Sequence, residues 1–393
     1  MEESKLIPYG RQDITEEDIK AVVKILRSDF LTQGSAVPEF EQKLCDYTGV
    51  RYAVAVNSCT SALHIACLAL GLGVDDILWT SPISFVASAN CALYCRASVD
   101  FVDIEPDTAL MSVEKLTDKL VLAEIEGKLP KIVIPVHFAG QSCDMKKIYS
   151  LSIEYGFHII EDASHAIGGK YLDKPIGNCK YSDIVVFSFH PVKIVTTAEG
   201  GLATTNSEKL AEKMRLLRNH GISRDQKLIT EKLEGIWYYQ QIDLGFNYRM
   251  TELQAALGTS QMKRLDNFIA KRHILQERYD ILLSSYPLIT PFQSLESYSA
   301  MHLYPIQLKM SNVKEGRMQI FNELRKAGVG VNVHYIPIHT QPYYRKLGFK
   351  REEFPNAIRY YEQAISIPMY SSMSIKDQDF VVERIKECVS ENY

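Results

Sequence analysis

The sequence has 393 residues, of which 46% are hydrophobic, so the chain is long enough to bury one large core and a second, smaller one. The formal net charge is -4, from 44 basic and 48 acidic residues, and no long block of one sign occurs. This pattern argues against nucleic acid or another polyanion as a partner. No window resembles a membrane span or a signal peptide, so we expect a cytoplasmic protein.

Eight cysteines are scattered along the chain without a C-x-x-C pair. No histidine spacing typical of structural zinc accompanies them. Because thiols in a reducing compartment stay unpaired, most of these cysteines are expected to be packing residues. The sequence predicts no metal site.

The first predicted element is a helix that follows Thr15, where Asp18 completes a carboxylate version of the capping box. From residue 51 to about residue 205, short β-branched runs alternate with stretches that can form helices, such as residues 61–70 before Gly71. The strand candidates are residues 52–56, 77–80, 99–102, 132–136, 158–161, 184–189 and 201–205. Several are apolar throughout, as a sheet covered by helices on both faces requires. We predict an α/β domain with a mostly parallel sheet.

The rest of the chain favours a smaller α+β domain. Its predicted elements are one long or two consecutive helices at 252–284, a strand near 303–308, a helix, a strand at 330–335 and a terminal helix from residue 374. We predict a large domain at residues 1–250, including the N-terminal segment, and a small domain at 251–393. Residues 219–248 lack periodicity, and so long a loop usually has a function or contacts a partner.

An acidic pair ends one predicted strand. In the run FHIIEDASH (residues 157–165), Glu161 and Asp162 reach the carboxyl edge of the sheet, where α/β proteins bind ligands. An isolated aspartate at such a position can equally well cap the next turn. Its interpretation therefore depends on the other motifs.

A lysine follows the next apolar strand. Lys193 ends the run SFHPVK (residues 188–193) and precedes the small-residue loop TTAEGG (residues 196–201), which lets the backbone approach a ligand closely. A lysine that attacks a carbonyl must be unprotonated, and desolvation or nearby cations lower its pKa from about 10.4. A lysine considered alone is usually a solvated surface residue.

The run NSCTSA (residues 57–62) joins a predicted strand to a predicted helix. Its hydroxyls and free N–H groups meet the positive end of that helix, which suits a phosphate, although ordinary N-capping would use one hydroxyl alone. The three motifs together match pyridoxal 5′-phosphate (PLP), which needs a lysine, an acid at its ring nitrogen and a phosphate site. Phe85 is the candidate aromatic face for its flat ring.

These and further motifs resemble the DegT/DnrJ/StrS family of sugar aminotransferases over nearly the whole chain. The matching runs are EDASHA (161–166), FSFHPVK (187–193), TTAEGG (196–201), GFNYRMTE (245–252), LTQG (31–34), NSCTSA (57–62) and SFVASAN (84–90). The resemblance implies the fold-type I architecture of PLP-dependent transferases, as in aspartate aminotransferase. It also implies a homodimer in which two subunits build each active site.

The resemblance also implies a role for each matching position. Lys193 would bind the cofactor covalently and shuttle a proton, Asp162 would pair with the ring nitrogen, and His165 would lie near the phenolic oxygen. Phe85 would stack on the ring. The phosphate would be held by the residues Cys59, Thr60, Ser61 and Ser188, and by Asn247 of the partner subunit. The substrate would be bordered by Tyr9, Leu31, Thr32, Arg249, His334 and Tyr335.

One branch of the family looks most similar, on the runs IPYGRQDI (7–14), WTSPISF (79–85) and VHYIPIHTQPYY (333–344). That branch acts in pseudaminic acid synthesis. The implied reaction moves the amino group of L-glutamate to C4 of a UDP-2-acetamido-2,6-dideoxy-4-keto-hexose, giving UDP-4-amino-4,6-dideoxy-N-acetyl-β-L-altrosamine. Ala198 departs from the glycine common at that position, while Gly200 and Gly201 remain.

Three alternatives remain open. The acceptor could be a different nucleotide-linked 4-keto or 3-keto sugar, because a linear motif does not encode the shape of a sugar pocket. A non-catalytic PLP-binding regulator is a second possibility, which the presence of Lys193 and Asp162 disfavours. A plain nucleotide-binding protein is the third, and the sequence has neither a G-x-G-x-x-G run after its first strand nor a Walker motif.

Overall fold

The computed structural model describes residues 6–309 and 313–391. Its helices are, in chain order, α1 (Glu16–Leu26), α2 (Ala36–Thr48), α3 (Cys59–Ala69), α4 (Ala87–Tyr94), α5 (Val113–Glu126), α6 (Met145–Tyr155), α7 (Glu208–Leu217), α8 (Glu252–Met262), α9 (Leu265–Leu283), α10 (Val313–Lys326), α11 (Pro342–Lys346), α12 (Pro355–Gln363) and α13 (Ile375–Glu391). Among these residues, no helix combines the length and the apolar character that crossing a membrane requires.

The strands are β1 (Tyr52–Val56), β2 (Ile77–Thr80), β3 (Ser98–Phe101), β4 (Ile132–Ile134), β5 (His158–Asp162), β6 (Lys170–Tyr171), β7 (Lys174–Pro175), β8 (Ile184–Ser188), β9 (Gly201–Thr205), β10 (Ile222–Ser223), β11 (Gln240–Gln241), β12 (Leu288–Ile289), β13 (Ser297–Tyr298), β14 (Tyr304–Leu308) and β15 (Ala364–Ile367). Every strand predicted in the first half of the chain is present, with ends that differ by a few residues.

The large sheet has the strand order β1-β9-β8-β5-β4-β2-β3. The pairs β2/β3, β2/β4, β4/β5 and β5/β8 are parallel, whereas β9 runs antiparallel to both β8 and β1. Strand β4 is buried along its whole length, which explains its continuous apolar run. The predicted α/β domain with a mostly parallel sheet is confirmed.

The region after residue 250 contains its own three-stranded sheet, β12-β14-β15. A separate hydrophobic cluster surrounds this sheet and includes Ile306, Ile320 and Ile385. Helix α8, in contrast, adds Ala255 to the cluster that contains Phe187 of the large sheet. The division into domains at residue 250 stays a prediction.

The strand predicted at residues 330–335 was wrong. This segment makes only isolated bridges, because its hydrogen bonds are divided between two neighbours. Gly330 N donates to Ile7 O at 2.7 Å, and Asn332 exchanges two backbone hydrogen bonds with Ser366. The strands that do pair with β14 are β12 and β15, neither of which was predicted.

Two sets of polar contacts hold the later part of the chain in place, and the first of them joins it to the large sheet. The Asp103 carboxylate, just after β3, accepts hydrogen bonds from the backbone N–H groups of Asn356 and Ala357 in the first turn of α12. The buried Arg272 of α9 donates to the carbonyl oxygens of the residues Met301, His302 and Met369. The segment that carries His302 is joined to the chain that follows β4 by a backbone hydrogen bond, because His302 N donates to Ala139 O at 2.8 Å.

Candidate active site

Neighbouring strands bring two predicted site residues to one edge of the large sheet. Asp162 is the last residue of β5, Ser188 is the last residue of β8, and the two strands pair in parallel. The edge opens into a cavity of about 590 Å³, within the size range of small-molecule sites. Its lining includes the predicted residues Tyr9, Cys59, Thr60, Phe85, Asp162, His165, Ser188, Lys193, His334 and Tyr335.

Lys193 lies in this cavity, in the turn that follows β8. Its backbone N–H donates to His190 O at 2.9 Å, and its ammonium group lies near Asp162, at the end of β5, and Cys59, at the start of α3. Protein atoms displace water around the ammonium group, and this desolvation lowers the pKa of Lys193 to about 8, against the opposing attraction of Asp162. About a tenth of the amine is therefore unprotonated at pH 7, a far larger share than for an exposed lysine.

This lowered pKa predicts how fast the free protein captures its cofactor. Only the unprotonated amine attacks an aldehyde, so the capture rate should rise about tenfold per pH unit below pH 8 and level off above it. An exposed lysine would still gain rate above about pH 10. Stopped-flow absorbance of cofactor-free protein mixed with PLP, from about pH 6 to about pH 10, measures the profile. A midpoint near that of an exposed lysine would contradict the predicted desolvation.

Asp162 is buried, and its carboxylate has defined hydrogen-bond donors. Ser164 N donates to Oδ1 at 3.1 Å, and Ser88 Oγ donates to Oδ2 at 2.6 Å. The carboxylate also lines the cavity, where it attracts the ammonium group of Lys193. An ionised acid in this position can stabilise a positive charge inside the cavity.

The N-terminus of α3 leaves free donors facing the same space. The Ser58 side chain caps the helix and accepts from Ser61 N at 3.1 Å, while Ser61 Oγ donates to Asn57 Oδ1 at 2.7 Å. The backbone N–H and the hydroxyl of Ser61 are thus both used in the N-terminal cap of α3 and are not free for a ligand. None of the described residues accepts a hydrogen bond from the N–H groups of Cys59 and Thr60, which point out of the helix start. Free N–H groups at a helix N-terminus form an anion site.

Glycine lets β9 approach this helix start closely. A Cβ atom on Gly201 would lie 2.4 Å from the carbonyl oxygen of Ser58 and 2.5 Å from Cys59 N. Any side chain there would push β9 away from the anion site. This close approach explains the glycine at the end of the TTAEGG run.

The cavity fits PLP by the chemistry of its donors and acceptors. It offers a lysine with a lowered pKa, a buried carboxylate and unpaired N–H groups for a phosphate. Phe85 also lines the cavity and remains 61% exposed, so its ring face is available to a flat ligand. Among the described residues, no cluster of histidine, cysteine and acidic side chains is placed to hold a metal ion.

Histidine and tyrosine side chains form the opposite wall. Tyr335 Oη and His165 Nε2 are 3.1 Å apart, and Ala139 N donates to His165 Nδ1. Because Nδ1 accepts that hydrogen bond, the ring proton of a neutral His165 lies on Nε2 and is donated to Tyr335. His334 packs 5.3 Å from the Tyr9 ring, centroid to centroid.

These imidazoles carry no charge at neutral pH. Burial, followed by the repulsion of Lys193, lowers the pKa of His334 to about 3 and that of His165 well below its ordinary value. The wall that His165 and His334 form is therefore uncharged. A neutral wall of this kind suits an uncharged, hydroxyl-rich ligand such as a sugar.

Five predicted site residues do not line this cavity. One of them, Ser61, lies in the cap of α3. Leu31 and Thr32 are exposed in the segment between α1 and α2. Asn247 and Arg249 lie beside the C-terminal end of β1, where Asn247 O accepts a hydrogen bond from Asn57 Nδ2 and Arg249 Nη1 donates to Asn219 Oδ1. One chain alone does not bring these last four residues to the site.

Several lining residues were not predicted, among them Ser84, Ser88, His302 and Asn332. Ser88 could have been predicted as a site residue from the sequence, because it stands three residues after Phe85 in the motif at residues 84–90. No sequence motif indicates His302, since only the contacts of Arg272 and Ala139 with its backbone bring it to the cavity. Its Nδ1 is buried without a hydrogen-bond partner in the described part of the chain.

The family model of the DegT/DnrJ/EryC1/StrS aminotransferases matches residues 12–386. The chain belongs to this family. A Campylobacter jejuni relative, UDP-4-amino-4,6-dideoxy-N-acetyl-beta-L-altrosamine transaminase, is 37% identical over 97% of this chain and 96% of its own length. Helicobacter pylori PseC, an aminotransferase of pseudaminic acid biosynthesis, superposes with a TM-score of 0.90 at 30% identity, covering 98% of this chain and all of that one.

A similar solved structure bears on the cofactor. Spr1654 from Streptococcus pneumoniae, assigned as a sugar aminotransferase, is known in a PLP-form and a PMP-form. The PLP-form superposes with a TM-score of 0.89 at 28% identity, over 99% of this chain and all of that one. This chain, as a member of the DegT/DnrJ/EryC1/StrS family, is therefore a sugar aminotransferase with the fold-type I architecture, and its cofactor is PLP.

Proposed function

We propose that this aminotransferase moves the amino group of L-glutamate to C4 of a UDP-2-acetamido-2,6-dideoxy-4-keto-hexose. The product would be UDP-4-amino-4,6-dideoxy-N-acetyl-β-L-altrosamine, an intermediate of pseudaminic acid biosynthesis. The observation that carries this proposal is the 37% identity to the Campylobacter jejuni transaminase along nearly the whole chain. The similarity to PseC supports the same sugar.

Lys193 is the proposed covalent anchor and proton carrier. Bound PLP supplies an electron sink that makes the α-proton of the donor acidic. Because burial lowers the pKa of Lys193 to about 8, its free Nζ can accept that proton from the donor and release it to the cofactor side. The same atom would return a proton to the sugar carbon in the second half-reaction.

Asp162 is the proposed partner of the ring nitrogen. Its buried carboxylate would accept a hydrogen bond from that nitrogen and keep it positively charged. The phosphate would bind the N–H groups of Cys59 and Thr60 with the Ser188 hydroxyl, and Ser61 would contribute by holding the turn. Phe85 would cover the ring, and His165 would lie on its phenolic side.

The acceptor sugar would bind against the neutral wall. Tyr9, His334 and Tyr335 line the cavity and present hydroxyl and imidazole groups that suit the hydroxyl and amide groups of a sugar. The orientation of His334 is set by a contact outside the cavity, since its Nδ1 lies 2.8 Å from Ser366 Oγ. A pocket of this kind reads the configuration of a sugar through its shape.

We propose further that the enzyme is a homodimer with shared sites. Leu31, Thr32, Asn247 and Arg249 lie outside the cavity of their own chain and would reach the site of the other subunit. Large apolar side chains are exposed in the segment at residues 219–248 that leads to Asn247; they include Ile236, Trp237 and Leu244. A second copy of the chain would cover them.

The absorbance spectrum of the protein loaded with PLP tests the proposed reaction. Glutamate should remove the visible band of the bound cofactor, and the UDP-4-keto-sugar should restore it, with the amino sugar detected by mass spectrometry. A 4-keto-sugar of the opposite configuration at C5 serves as the matched control and should restore the band more slowly. A band that glutamate leaves unchanged would overturn the proposed donor, and equal or faster recovery with the control sugar would overturn the proposed acceptor.

A further inference from the structure

Ser88, in the first turn of α4, contacts the Asp162 carboxylate. The side chain is buried, and its Oγ lies 2.6 Å from Asp162 Oδ2. Ser84 Oγ lies 2.7 Å from Ser88 Oγ, so the three side chains form a row, and all three residues line the cavity. Neither serine has a role in the proposed function.

The direction of these hydrogen bonds follows from the available protons. An ionised carboxylate only accepts, so the short contact requires Ser88 to donate its single hydroxyl proton to Asp162. A separation of 2.6 Å is typical of a hydroxyl that donates to a charged carboxylate. Ser84 must then donate to Ser88, because the Ser88 proton is already used. The row therefore points its donors toward Asp162.

Two donors fix the plane of the carboxylate. Ser164 N donates to Oδ1 at 3.1 Å, while Ser88 Oγ donates to Oδ2. With one donor on each oxygen, rotation about the Cβ–Cγ bond would break a hydrogen bond in a buried site. Without Ser88, the backbone donor would hold one oxygen only, and the carboxylate could turn away from the cavity.

We propose that Ser88 is a positioning residue, which holds the charged Asp162 carboxylate in the orientation that binds the ring nitrogen of the cofactor. This inference rests on the proposed role of Asp162. Phe85, the proposed stacking residue, stands three positions earlier, and its carbonyl accepts the backbone N–H of Ser88. One short segment thus supplies the proposed stacking ring and also orients the carboxylate that pairs with the ring nitrogen.

The test compares Ser88→Ala with Ser88→Thr, which retains the hydroxyl. Loss of a hydrogen bond to a charged group should lower kcat about tenfold in Ser88→Ala, while KM for glutamate changes less than about twofold. Protein loaded with ¹⁵N-labelled PLP reports the effect without turnover. The ring-nitrogen resonance should shift toward the unprotonated position in Ser88→Ala, and Ser88→Thr should restore the wild-type position.

Two further variants separate the possible outcomes. Ser84→Ala leaves the Ser88 contact in place and should shift the resonance in the same direction by a smaller amount, even if Ser88→Ala folds poorly. Asp162→Asn should give the largest shift. If Asp162→Asn shifts the resonance and neither serine variant does, the positioning role is wrong and the role of Asp162 stands. If Asp162→Asn also leaves the resonance unchanged, the proposed function of Asp162 fails as well.

Discussion

Replacing Lys193 by alanine is expected to abolish transamination and the covalent capture of PLP. The variant loses the only amine that lines the described cavity, and with it both the anchor and the proton carrier. General acid and base catalysis alone contributes about 10² to 10⁴-fold, so turnover should fall by at least about 10⁴-fold when the anchor is lost too. Coupled detection of 2-oxoglutarate measures turnover, and mass spectrometry after borohydride reduction measures capture.

Two controls make the Lys193 result specific. Lys174→Ala removes an exposed lysine of β7 and should leave turnover and capture unchanged. Lys193→Arg keeps a positive charge without a reactive amine, so it should be as inactive as the alanine variant. Full turnover in Lys193→Ala would show that another group performs the chemistry and would refute the site assignment.

Asp162→Asn should bind PLP but turn over slowly. The amide keeps the size of the side chain, and its oxygen can still accept the hydrogen bond from Ser88. It no longer carries the negative charge that holds the ring nitrogen protonated, and removal of one such electrostatic contact costs about 10² to 10³-fold in kcat. Cofactor affinity by fluorescence titration, together with kcat for the full reaction, separates binding from chemistry.

An exposed carboxylate supplies the control for this substitution. Asp75→Asn, in the turn before β2, removes one negative charge from the surface and should leave kcat unchanged. Its backbone φ of 70° is one that asparagine tolerates. Turnover of Asp162→Asn at the wild-type rate would remove the proposed role of Asp162.

Local patterns predicted much of the large domain. The apolar runs that became β1, β4 and β8 are short and flanked by turn residues, and burial on both faces keeps them free of alternation. The capping box at the start of α1 is also local, since Thr15 N donates to Asp18 Oδ2 at 2.9 Å. Such features depend on residues that are neighbours in the sequence, so the pattern alone is informative.

The later part of the chain was less predictable. The segment at residues 330–335 has the β-branched character of a strand, yet Ile7 and Ser366 compete for its hydrogen bonds. Both partners are distant in the sequence, and their positions depend on how the N-terminal segment and β15 pack. Local strand propensity does not indicate which distant segments will take these hydrogen bonds.

The sequence by itself predicted the cofactor, because Lys193, Asp162 and the run at residues 57–62 each follow a predicted strand and together match the needs of PLP. Only the tertiary structure decided which side chains complete the site. The pairing of β5 with β8, the contact of Ser88 with Asp162, and the approach of His302 join residues that lie far apart in the chain. Packing of whole elements sets those distances, and no local pattern records them.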